Sequence, residues 1–272
     1  MPLAAERQDV SQPSILNFQP VNSMQTYRAR RVVRADRGGS SWPVLIETEN
    51  GVFYTKLRGA AQAPLTLVAE IVVGALADVL SLAVPARVLI DVPADLHSDD
   101  PHDELAQLLR FSVGLNLGFE CLPDARDFRG LDVSRVDPDL ASRIVWLDGL
   151  VQNRDRTAKN PNLVWSQDRL WLIDHGASLG FHHRWSNVTE ESPRARDWSL
   201  SNHVLGSRAT RLAIIDMALA GLLDRTALES AVGAVPAEYL SMNGIDTHRR
   251  RAAYVAFLWK RLKEPRPFLH VQ

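Results

Sequence analysis

Between Thr26 and Val33 the residues alternate in a strand-like way and are rich in Arg, Val and Tyr; Arg37-Gly38-Gly39-Ser40-Ser41 breaks the pattern, and Trp42 to Thr48 resumes it. Glu49-Asn50-Gly51 carries a hairpin-turn signature, and Val52 to Leu57 reads as a third strand with Lys56 near its end. Pro64 stands where a first helical turn tolerates it. Leu65, Val68, Ala69, Val72, Leu76, Val79 and Leu80 then recur at helical spacing, which predicts one long helix. Pro85 and Pro93 bracket a short β-branched strand from Ala86 to Val92. His97 to Glu104 is acidic and loop-like, and Phe111 to Leu122 reads as a strand or strand pair containing Gly114 and Gly118.

The second half changes period. Asp137 is a candidate helix cap with Pro138 at the first helical position, followed by Leu140, Ile144, Leu147 and Val151. Leu163 to Trp165 and Leu170 to Ile173 form a candidate hairpin turned at Gln167-Asp168. Beyond residue 200 the pattern is helical, over Arg208 to Leu223, Arg225 to Val232 and Asp246 to Leu262. The order is therefore β-rich, one helix, β, then mostly α, with no internal repeat.

Composition adds bounds. The 272 residues are 46% hydrophobic and 23% charged, the balance of an ordinary globular protein, and are numerous enough for one large core or two lobes. Lys and Arg total 31 against 32 Asp and Glu, so a formal net charge of -1 gives no global reason to expect nucleic acid or an anionic membrane as partner. A single cysteine, Cys121, excludes an intramolecular disulfide and a multi-cysteine zinc site, and fits a reducing compartment such as the cytoplasm. Its apolar setting predicts a buried small hydrophobe. No run approaches the roughly 20 apolar residues of a membrane span. Residues 1–20 mix Glu6, Arg7, Asp9 and several Gln with apolar residues, and read as a flexible tail that is neither signal nor anchor.

Candidate chemistry sits on a few of these elements. Asp155 precedes Asn160 by the interval that separates a catalytic carboxylate from a metal-binding amide in a kinase catalytic loop. Asp174 ends the apolar run Leu170-Trp171-Leu172-Ile173 and is followed by His175-Gly176, the position of the second metal ligand in such enzymes. Lys56 stands at a strand end, and Glu70 interrupts a largely apolar helix, where a carboxylate needs a partner; Lys56 is the natural one. Gly38, Gly39, Ser40 and Ser41 lie between the first two strands, where glycines admit a phosphate and serines can donate to it, although a plain hairpin turn explains them equally well. Other groups read more blandly. His175, His182 and His183 lack metal-ligand spacing and read as surface or activation-segment histidines, and His248-Arg249-Arg250-Arg251 reads as a solvated basic step.

Together, Asp155-Arg156-Thr157-Ala158-Lys159-Asn160, Asp174, the strand Tyr54-Thr55-Lys56-Leu57 and the helix Leu67-Val68-Ala69-Glu70 resemble a HipA-like kinase, and more distantly the phosphoinositide-kinase and protein-kinase fold. The resemblance covers about residues 26 to 180, and Thr157 stands where the family usually has His. It implies an α+β, bilobal protein-kinase-like fold: a flexible tail over 1–20, an antiparallel β-rich N-lobe with one long helix over 21–122, and a mainly α C-lobe over 123–272. It also implies ATP and magnesium as cofactors, with Asp155 catalytic, Lys56 on phosphate and held there by an ion pair with Glu70, and Asn160 and Asp174 on metal. Gly38 to Ser41 would cover the phosphates, and the backbone of Glu120 and Leu122 would meet adenine. The acceptor would be a hydroxyl, foremost a protein Ser or Thr. A small-molecule kinase or a weakly catalytic nucleotide-binding regulator are the alternatives, and a metal-dependent hydrolase is disfavoured because dense carboxylate and histidine clusters are missing from the sequence.

Overall fold

The computed structural model describes residues 24–35, 43–60, 64–99, 103–241 and 245–269. The proposed tail over 1–20 and the phosphate-covering residues Gly38, Gly39, Ser40 and Ser41 lie outside these residues.

Five strands close into a barrel in the order β1-β2-β3-β5-β4: β1 (Thr26–Ala35), β2 (Val44–Thr48), β3 (Gly51–Lys56), β4 (Arg87–Val92) and β5 (Gly114–Glu120). Val44, Ile46 and Thr48 of β2 turn inward with the period of two that a half-buried strand requires. The turn to β3 works because Gly51 adopts a φ of 123°, which a side chain would resist. Most pairings are antiparallel, as the sequence suggests, but β1 and β4 close the barrel in parallel, with Tyr27 opposite Ile90.

Between β3 and β4 runs α1 (Leu65–Val79), and between β4 and β5 runs α2 (Asp103–Phe111). The second helix departs from the loop and strand expected there. Its polar residues hide an apolar face, Leu105 and Leu109, which plugs the barrel interior beside Ile46, Val88 and Ile90. Acidic Asp103 and Glu104 in its first turn and Arg110 in its last suit the helix dipole.

The remainder comprises a small sheet of β6 (Arg126–Asp127), β7 (Leu163–Ser166) and β8 (Arg169–Leu172), and the helices α3 (Pro138–Leu150), α4 (Leu212–Leu222), α5 (Arg225–Gly233), α6 (Ala237–Leu240) and α7 (Thr247–Leu262). Asp137 caps α3 by accepting from the backbone N–H of Asp139 (2.8 Å) and Leu140 (3.2 Å). Asp246 caps α7 through Arg249 N–H at 2.9 Å. The main core runs through α1, α3, α5 and α7, so α1 is buried on nearly every side and joins the barrel to the helical part.

Buried Arg261 ties α7 to the end of α3. It donates to the carbonyls of Gly149 (2.9 Å) and Leu150 (2.9 Å), and to those of Pro193 and Ala195 (both 3.1 Å). Carbonyls that a helix end leaves without partners are thereby satisfied.

Three further expectations are corrected at this level. Cys121 is half-buried just beyond β5, its thiol directed at Val52 O, because the strand ends before it. His175 and His182 are buried rather than on the surface. Arg250, in the basic step at the start of α7, is also buried, with its guanidinium 5.7 Å from the Trp185 ring. Among the described residues no helix is long and apolar enough to cross a membrane.

Candidate active site

Lys56 leaves the end of β3 and meets two carboxylates. Its Nζ lies 2.5 Å from Glu70 Oε1 on α1 and 2.6 Å from Asp174 Oδ1 just after β8. Glu70 is fully buried, whereas the Asp174 side chain is 41% exposed, so Asp174 is the member of the triad most open to solvent. Burial alone would lower the Lys56 pKa, but the two carboxylates outweigh it and hold the ammonium above its ordinary value. For Asp174 burial pulls upward, and Lys56 prevails and holds the carboxyl below the usual range. Glu70 goes the other way: full burial raises it despite Lys56.

Asp155 belongs to the loop that follows α3. The loop is built tightly. Asn153 Oδ1 accepts from Asp155 N–H at 3.1 Å, and Asn153 Nδ2 donates to Asp148 Oδ1 at 2.9 Å. Thr157 N–H donates to Asn160 O (3.0 Å), and its hydroxyl oxygen accepts from Asn160 N–H (3.3 Å). The residue that departs from the family pattern thus closes the loop between Asp155 and Asn160. Asp155 Oδ2 accepts from Asn160 Nδ2 at 2.8 Å and from Asn162 Nδ2 at 3.1 Å.

Beneath the loop lies a hub that the sequence reading did not single out. Asp148 of α3, wholly buried, accepts at Oδ2 from Arg156 Nε (2.7 Å) and His203 Nε2 (2.8 Å). Leu205 N–H donates to His203 Nδ1, which leaves the imidazole hydrogen on Nε2, aimed at Asp148. Arg156, equally buried, donates onward to the carbonyls of Asn162 and Ile173 and to His175 Nδ1 at 3.3 Å. Ile173 N–H in turn donates to Asn162 O at 3.1 Å. One guanidinium therefore fixes the Asp155 loop relative to the strand end that carries Asp174.

Burial would raise the Asp148 carboxyl, but the Arg156 charge and the His203 hydrogen bond hold it well below the carboxylate range. His175 is pushed down to about 3 by burial and by the neighbouring Arg156 charge. The signal for this hub was present in the sequence: Asp148 directly follows Leu147 of the apolar α3 pattern, the same anomaly that drew attention to Glu70 in α1.

The structure therefore brings Lys56, Glu70 and Asp174 together, and separately pairs Asp155 with Asn160. Glu120 ends β5, where its N–H donates to Ala86 O at 2.9 Å, and Leu122 follows in the connection to β6.

The donors suit magnesium by chemistry. Asp174 spends one oxygen on Lys56, and Asn160 turns its amide nitrogen to Asp155, so the hard oxygens Asp174 Oδ2 and Asn160 Oδ1 remain for a cation. Among the described residues no three His, Cys, Asp or Glu side chains gather into a metal site. Magnesium at nucleotide sites uses one or two carboxylates and completes its shell with phosphates and water.

A family model described as HipA-like kinase matches residues 29–245, and the chain belongs to that family. It is accordingly a phosphotransferase that uses ATP. The crystal structure of a Helicobacter pylori proinflammatory kinase, CtkA, shares the fold, with a TM-score of 0.50 and 11% identity over 92% of this chain and 99% of that one. No curated protein matches the sequence.

Proposed function

We propose that the protein transfers the γ-phosphate of ATP to a hydroxyl acceptor, with magnesium, at a cleft between an N-lobe (21–122) and a C-lobe (123–272). The observation that carries this reading is the Lys56 ammonium held between buried Glu70 and solvent-open Asp174, at 2.5 and 2.6 Å. In this assignment Lys56 meets the phosphates, and Asp174 and Asn160 hold magnesium. The metal neutralises phosphate charge when bound. Asp155, oriented by Asn160 and Asn162, receives the acceptor's hydroxyl proton. Gly38 to Ser41 cover the phosphates, and the connection at Glu120 and Leu122 borders adenine. The Glu120 N–H is already committed to Ala86 O, which leaves adenine recognition to other groups of this connection.

A protein Ser or Thr is the acceptor that the family resemblance suggests, in a reducing, cytoplasmic setting. A small-molecule acceptor is the second reading, and a cavity lined by Gln152 and Arg154, which lead into Asp155, favours it. The full set of Lys56, Glu70, Asp155, Asn160 and Asp174 argues against a regulator that has lost turnover. Incubation with labelled ATP and magnesium tests the reading: transfer of label that Asp155→Ala abolishes is expected, and tight ATP binding without any transfer would favour the regulator.

A further inference from the structure

Next to the Asp155 loop lies a cavity of about 540 Å³ that the phosphate chemistry leaves unused. Gln152 and Arg154, which lead into Asp155, form one part of its wall, and Ala177, shortly after Asp174, forms another. Arg154 immediately precedes Asp155 and Ala177 follows Asp174 by three positions, and with successive α-carbons about 3.8 Å apart both stretches link the cavity wall to the proposed transfer centre. Phe181, its ring stacked on Phe257 of α7 with centroids 3.7 Å apart, supplies an apolar surface. The volume falls within the roughly 300–1,000 Å³ of small-molecule sites.

The charges of the lining decide the kind of ligand. Asp197 is its single carboxylate among the described residues, and it is already engaged: Oδ1 accepts from Gln152 Nε2 at 3.0 Å and Oδ2 pairs with Arg154. Arg184 adds a second guanidinium, exposed, with no ion pair or side-chain hydrogen bond among the described residues. Burial lowers the pKa of His183, the third basic residue of the lining. The cavity thus carries one uncompensated positive charge over an aromatic surface, with Asn187 and Ser192 as further polar groups.

We propose that this cavity holds the phosphoryl acceptor, and that the acceptor is a small hydroxyl compound bearing an anionic group, a carboxylate or a phosphate, received by Arg184. The proposal rests on the transfer centre assigned above. The acceptor oxygen forms a bond to the γ-phosphorus, the bond from that phosphorus to the β,γ-bridging oxygen breaks, ADP leaves with the electron pair, and the hydroxyl proton passes to Asp155.

Calorimetric titration of the full chain, loaded with magnesium and a non-hydrolysable ATP analogue, compares matched acids and alcohols: glycerate against glycerol, and pantothenate against pantothenyl alcohol. Transfer from labelled ATP is followed in parallel with the ultrafiltrate and the protein fraction of a cell extract. Expected are acids bound at least about tenfold more tightly than their alcohols, the scale of one charge-assisted hydrogen bond, and label in small anionic products. Arg184→Ala should erase the preference and Arg184→Lys should retain part of it, with analogue binding as the check that each variant is folded. Acids and alcohols bound alike, acids not bound at all, a preference that survives Arg184→Ala, or label confined to protein each overturns the proposal. Failure of the wild type to bind the ATP analogue would instead overturn the transfer-centre reading beneath it.

Discussion

Replacing Asp148 with Asn removes a negative charge from a place that no water reaches. Asp148 and Arg156 are both fully buried, and their 2.7 Å contact is the ion pair that balances the Arg156 charge. The introduced amide is isosteric with the carboxylate, yet its NH2 would face the N–H of Arg156, His203 or Asn153, each of which now donates to Asp148. Leaving one buried charge unpaired costs about 3–5 kcal/mol. In a chain of this size that is a fall in Tm on the order of 10 °C. Urea unfolding followed by tryptophan emission reads it, since Trp146 and Trp198 are buried in the same core.

The pH dependence has a definite sign. Asp148 is depressed in the folded state, so its contribution is present above the unfolded value of about 3.9 and is lost as pH falls through the folded value. The stability gap between wild type and variant should be full at pH 7 and shrink only below about pH 4. A gap under about 1 kcal/mol, the size of an ordinary neutral hydrogen bond, would refute the assignment. So would a gap that closes between pH 7 and pH 5.

Asp155→Ala should lower transfer by about 10²–10⁴-fold while leaving ATP affinity nearly unchanged, since its proposed role is with the acceptor proton; steady-state kinetics with a separate ATP titration checks this. Asp174→Ala should weaken magnesium-ATP binding itself by roughly tenfold or more, ~1.4 kcal/mol, and wild-type affinity in calorimetry would remove it from the metal site. Glu70→Gln strips Lys56 of its buried counter-charge, and should cost at least about 2 kcal/mol of transition-state stabilisation, read as a fall in kcat/KM for ATP. A variant with unaltered kinetics would reduce Glu70 to a structural role.

The residues of the proposed site were legible because each broke a local pattern. Glu70 stood in an apolar helix, Asp174 closed an apolar strand, and Asp155 and Asn160 kept a fixed interval. Helix and strand periods likewise placed α1, α3, α7 and β1 to β4, since those elements bury one face or nearly all faces and their patterns say so. The α2 helix escaped because its two buried leucines matter only once a barrel exists for them to plug. Arg250 and His182 escaped for a similar reason: their burial depends on Trp185 and Tyr254 arriving from elsewhere in the chain.

By itself, then, the sequence supplied the candidates for the proposed site, which are Lys56, Glu70, Asp174 and the Asp155 to Asn160 interval, and the order of β-rich and α-rich parts. Tertiary structure decided the pairings. Lys56 and Asp174 are 118 positions apart, and Asp148 and His203 are 55 apart. Local periodicity is set by neighbours three or four residues away, whereas these contacts exist only after a core has brought distant segments into a dry interior where a charge must find its partner.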